Sequence, residues 1–130
     1  MVDSALVHEL VAVLPGAIND STPERLIFSV RGRGFAWTFM QRDAPRQPRW
    51  PKQKRWPNRD VLAVSCPLDH KELLIEAAPH IFFDDAHYRG YPAVLVRLPA
   101  ISADELANLL ARAHAIQSSK PPKRKRPRQE

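Results

Sequence analysis

A chain of 130 residues with 13 prolines, a single cysteine (Cys66) and a formal charge of +6 bounds one domain, long enough to bury about two-thirds of its unfolded surface without staples. One cysteine excludes an intrachain disulfide or a Cys-rich zinc site and fits a reducing cytosol. No apolar run approaches the ~20 residues that span a bilayer. Residues 41–60 and 120–130 carry +5 each, which leaves −4 for the rest, so the body is mildly acidic and two appendages hold the excess positive charge.

The N-terminus carries Asp3 and Glu9 without a basic region, so it does not read as a signal peptide and a cytoplasmic location is expected. Residues 3–14 begin with a capping candidate, Asp3 or Ser4, and repeat Leu6, Val7, Leu10, Val11 and Leu14 at helical spacing before Pro15-Gly16 stops the helix. A loop follows. The runs RLIFSV (residues 25–30) and FAWTFM (residues 35–40) flank Arg31-Gly32-Arg33-Gly34, a strand–turn–strand pattern with glycines where a tight turn needs positive φ.

Residues 41–60 hold four prolines and no aliphatic residue but Ala44, which predicts a mobile basic insertion in a hairpin that resumes as a strand at Asp60–Cys66. Asp69 and Glu72 predict a capped helix over 69–78. A short strand at 80–83, a polar loop and a buried strand at 93–98 come next. Ser102 and Glu105 form a capping box for a last helix striped by Leu106, Leu109, Leu110 and Ala113. Beyond residue 117 the Ser/Pro/Lys/Arg composition predicts a disordered basic tail over 118–130. The expected order is α-β-β-β-α-β-β-α, with Phe28, Phe35, Leu62, Val64, Val94, Val96, Leu106 and Leu110 in the core.

Four segments carry a likeness. They are Leu14-Pro15-Gly16, FSVRGRGFA at 28–36, PHIFFDDAHYRGYPAVLVRL at 79–98 and SADELANLLARAHAI at 102–116. In that order they resemble the MmcQ/YjbR family of small bacterial proteins. The resemblance implies an α+β fold, an antiparallel sheet of about five strands with flanking helices, similar in shape to the frataxin and type III secretion chaperone folds. It also implies a DNA-binding role, which is a family label more than a mechanism. Members usually carry acidic residues directly after the LPG word, whereas here Ala17, Ile18 and Asn19 precede Asp20. The insertion and the tail lie outside the shared core.

Arg46, Arg49, Trp50, Lys52, Lys54, Arg55, Trp56 and Arg59 interleave cations with tryptophans, a pattern suited to phosphate attraction and stacking on unpaired bases. The same tryptophans could equally fold back against the sheet. Lys120, Lys123, Arg124, Lys125, Arg126 and Arg128 form a basic arm that either associates with nucleic acid or only solubilises the terminus. His87, Tyr88 and Arg89, followed by Gly90 and Tyr91, offer rings, a guanidinium and a backbone N–H, or simply a turn.

Catalysis finds little support. Cys66 and His70 lack a third orienting group. His80, Asp84, Asp85 and His87 match no metal-ligand spacing. The acidic residues of the first helix, Asp3 and Glu9, are too few for a frataxin-like iron ridge. No catalytic residue, cofactor or metal is expected. The residues point to a non-enzymatic binder of DNA or RNA acting mainly through phosphate electrostatics, with a protein-interaction module as the alternative.

Overall fold

The computed structural model describes residues 2–42, 55–85 and 88–120, with the backbone alone at 41, 42, 55–57 and 59. Helix α1 spans Ser4–Ala12, and Asp3 caps it, its carboxylate accepting the Leu6 N–H at 3.0 Å. Val7 and Val11 face the core, and Gly16 turns the chain with φ +70.

Strand β1, Ile18–Asn19, was not expected, because two residues carry no alternation to read. It pairs with β2 (Ile27–Val30), giving a sheet of six strands rather than about five. Strands β3 (Arg33–Arg42), β4 (Arg55–Ser65), β5 (Phe82–Phe83) and β6 (Ala93–Arg97) complete it in the order β1-β2-β3-β4-β6-β5, every neighbour antiparallel. Helix α2 (Leu68–Ala77) and helix α3 (Ala103–Ser119) follow β4 and β6 respectively.

The β2–β3 hairpin closes through Arg31 and Gly32, both at positive φ (53° and 77°), as the twist-matched two-residue turn demands. Just beyond it the register slips: Ser29 pairs with Gly34 but Phe28 pairs with Ala36, leaving Phe35 as the extra residue of a β-bulge. Phe35 and Ala36 therefore both enter the core beneath the helices. Trp37 and Phe39 turn to the opposite face, beside Ala63 and Leu95.

Among the boundaries that differ from expectation, three change the reading of the chain. Residues 41–42 and 55–60 are not a mobile loop but paired strand, Arg42 opposite Arg55 and Met40 opposite Pro57. The β6 partner of β4 spans only Val61–Ser65, so this extension is a two-stranded ribbon in which a proline without an N–H is tolerated on the free edge. Helix α2 starts at Leu68 behind Pro67 with no side-chain cap, and Asp69 lies in its first turn. Helix α3 continues to Ser119 rather than giving way after 117. The Ser118 and Ser119 hydroxyls bond back to the carbonyls of Ala115 and Ile116. The Gln117 amide donates to the Gly34 carbonyl and the Ser65 hydroxyl, both at 3.0 Å. A Ser-rich stretch thus completes a docked helix. Ser102 caps α3 as expected, its Oγ accepting the Glu105 N–H, but the Glu105 carboxylate accepts from the Ser102 hydroxyl rather than from its backbone N–H.

The main core lies between the sheet and the helices, and the eight residues assigned to it from sequence are each at most 1% exposed. Each such aliphatic or aromatic side chain contributes about 1.5–3 kcal/mol of burial. His114 of α3 seals one end: its Nε2 lies 2.6 Å from the Pro15 carbonyl and its ring stands edge-on to Phe35.

Candidate functional site

The sheet face away from the main core carries the most distinctive chemistry. Pairing aligns Ile27, Trp37, Ala63, Leu95 and Phe83 across five strands. Ala63 and Leu95 are fully buried there, although no helix core reaches them. Their cover is aromatic. Trp37, Phe83 and Tyr88 pack on the small cluster of Phe39, Val61, Ala63 and Leu95. The rings meet edge to face, Phe39–Tyr88 at 5.7 Å, Tyr88–Tyr91 at 5.8 Å and Trp37–Tyr91 at 6.5 Å between centroids, the geometry that ring quadrupoles favour. Tyr91 is outermost and half exposed.

Polar contacts fix this cover. The Trp37 indole N–H donates to the Tyr88 hydroxyl at 2.9 Å. Lys71 of α2, only 2% exposed, donates to the Tyr88 carbonyl at 2.8 Å and the Tyr91 carbonyl at 3.0 Å and ion-pairs with Asp84 at 3.0 Å. All three ammonium N–H groups thus have an acceptor, which is what makes a buried lysine tolerable. Burial pushes the Tyr88 phenol above its ordinary value, the indole hydrogen bond opposing it.

Two guanidiniums flank the rings. Arg97 lies opposite Val61 on β6, its Cζ 4.1 Å from the centre of the Phe83 ring, a cation–π contact. Arg25 stands just before β2, and its buried Nε donates to no acceptor among the described residues.

Of the residues singled out from sequence, Tyr88 is placed in this cluster and Arg89 is exposed beside it. His87 lies outside the described residues. Arg46, Arg49, Trp50, Lys52 and Lys54 also lie outside them. Arg55, Trp56 and Arg59 are placed by backbone on β4, opposite β3 for the first two, with their side chains outside the description. Lys120 follows the end of α3, and Lys123, Arg124, Lys125, Arg126 and Arg128 lie beyond the described residues.

The Cys66 thiol is buried and is pushed from an ordinary 9.0 up to about 11 by that burial, against the pull of Lys71. It is therefore a thiol, not a thiolate, at neutral pH. The His70 ring contacts Arg112, and Asp84 is engaged by Lys71. Among the described residues no three His, Cys, Asp or Glu side chains gather as metal ligands would, and no helix is long and apolar enough to cross a membrane.

Sequence reasoning missed Trp37, Phe39, Phe83, Lys71, Arg25 and Arg97. One signal was present. FAWTFM is apolar at nearly every position, as expected of a strand covered on both faces rather than one.

A two-layer α+β domain with helices on one sheet face and a ring-rich cover on the other is the class this architecture defines. The chain belongs to the YjbR family, whose model matches residues 12–116. It is similar to the uncharacterized proteins Rv2570 of Mycobacterium tuberculosis and Mb2600 of Mycobacterium bovis, each 42% identical over 50 residues, 38% of this chain. The match spans 39% of the length of those curated relatives. Among solved structures, the Deinococcus radiodurans protein DR2400, with a DUF419 domain, superposes at a TM-score of 0.64 over 92% of this chain and 81% of its own, at 21% identity, a likeness of fold.

Proposed function

We propose that this chain is a non-enzymatic nucleic-acid-binding protein of the cytoplasm. The observation that supports the reading is the placement of the aromatic face. Trp37 and Phe39 lie on β3, the strand that continues into the two-stranded ribbon. The ribbon and the segment it carries, residues 41–60, hold the +5 charge. Arg42 and Arg55 are register partners on that ribbon, so two cationic residue types fall at one level of it, a composition suited to a polyanion. Phosphates would follow the ribbon and the basic C-terminal segment. Unpaired bases would stack on the half-exposed Tyr91 ring, with Arg25 and Arg97 flanking the cluster.

The test is binding of single-stranded and duplex DNA, and of RNA, against salt. If about five phosphates are neutralised, log K falls against log salt with a slope of roughly −4.5, and affinity drops about 10²–10³-fold between 50 and 200 mM. Changing Arg49, Lys52, Lys54 and Arg55 together to Ala reduces that slope, and so does removing residues 121–130. Tyr91→Ala weakens single-strand binding more than duplex binding, because stacking is worth about 1–3 kcal/mol per unpaired base. No retardation of any nucleic acid at about 50 mM salt, where the electrostatic attraction is strong, overturns the proposal in favour of a protein-interaction module.

A further inference from the structure

The structure assigns a second, separate ligand site: a cleft between α2 and α3 that fits a small monocarboxylate with an apolar body. The cleft has a volume of about 420 Å³, within the usual range for small-molecule sites. Its floor is apolar, made by Leu74 of α2, Phe82 of β5 and Leu109 of α3, and its rim is polar.

Arg112 is the feature that selects the ligand. Its Nη1 donates to His70 Nε2 at 2.8 Å, with Nδ1 at 3.4 Å. A guanidinium can only donate, so the ring nitrogen is the acceptor in this contact, and it orients the guanidinium without pairing it with a carboxylate. Arg112 ion-pairs with no carboxylate among the described residues. Its Nη2 and Nε groups make no hydrogen bond among the described residues, and a guanidinium so placed on the cleft lining can grip a carboxylate with two parallel bonds. Asn108, one helical turn earlier, adds an amide donor on the same side.

Glu105 closes the other end. It lies seven residues before Arg112, about 10 Å along the helix axis, where its carboxylate is held by the Ser102 hydroxyl. A negative charge there opposes a second anionic group on the ligand. The cleft therefore discriminates on two counts. It takes an apolar body over inorganic anions, and one carboxylate over two, with the anionic head at the Arg112 end.

The experiment is a heteronuclear NMR titration of the full chain with octanoate and phenylacetate, and with octylamine, suberate and inorganic phosphate for comparison. The expected result is saturable shifts confined to residues 70–74, 82 and 105–112 and to the His70 ring, with octanoate bound at least about tenfold more tightly than suberate, and with octylamine shifting the Glu105 end rather than Arg112. Arg112→Gln lowers octanoate affinity by about tenfold or more, as loss of a charge-assisted pair should. Arg112 is exposed, so the rest of its spectrum stays that of the parent. The proposal is overturned by octylamine shifting the Arg112 end as octanoate does, by binding of phosphate alone, by unchanged octanoate affinity in Arg112→Gln, or by no saturation at millimolar octanoate.

Discussion

The two faces of the sheet are packed by different means. Under the helices, Phe28, Phe35, Leu62, Val94 and Leu110 form a continuous apolar layer made by five elements of regular structure. Across the sheet, Ala63 and Leu95 are just as dry, but a few rings and the turn that ends in Tyr91 keep them so, and one lysine holds that turn. The first face is stabilised by area, which is additive and forgiving. The second is stabilised by a handful of directed contacts, each of which matters by itself. A surface built the second way can open locally without unfolding the domain.

The sharpest test of that contrast is the helix-side core. Phe28→Ala should cost about 3–5 kcal/mol, lowering the midpoint in denaturant and accelerating amide exchange throughout the sheet. Lys71→Ala should cost less, about 2–3 kcal/mol, since it leaves Asp84 and two carbonyls short of a donor near solvent. Its signature is local: faster exchange over 84–92 and a changed Trp37 emission, with the helix-side amides nearly unaffected. If Lys71→Ala instead accelerates exchange uniformly, the two faces form one cooperative unit and the comparison fails.

The smallest effect is confined to alkaline solution. The folded Cys66 thiol keeps its proton up to about 11, whereas an unfolded thiol releases it near 9.0. Between those values the unfolded chain binds fewer protons, so stability should fall as pH rises through that window and be unaffected below it. Tyr88, raised from 10.0 by burial, acts with the same sign at higher pH. Cys66→Ala should flatten the decline between pH 9 and 11. Chemical denaturation at a series of pH values measures it, and an identical slope in the variant would place the proton release elsewhere.

Most of the helix-side architecture was legible in the sequence. Val7 and Val11 at helical spacing, the Ser102–Glu105 box and the strand runs around 28, 62 and 94 each carry a local signal that agrees with the fold. The aromatic face was not legible, for two physical reasons. Trp37 is joined to Tyr88 across 51 residues by a single hydrogen bond, and nothing in either neighbourhood specifies that meeting. Lys71 reads as a solvated helix residue until Asp84 and the 88–91 turn are brought to it. Proline density misled at 55–60, because an edge position tolerates what a central strand does not.

The extra residue at Phe35 has a consequence for how this strand can change. Side chains along β3 keep a two-beat rhythm, and the bulge inserts a half-beat rest. Removing any one residue between Val30 and Trp37 would restore an unbroken alternation and exchange inside for outside along everything downstream. Trp37 and Phe39 would face the helices, and Thr38, whose hydroxyl now accepts the buried Leu26 N–H at 2.8 Å, would face the opposite way. The last described rung of the ribbon joins Arg42 to Arg55. Length is fixed to the residue at the near end of this hairpin, so an engineer working on β3 should leave the seven residues from Arg31 to Trp37 intact.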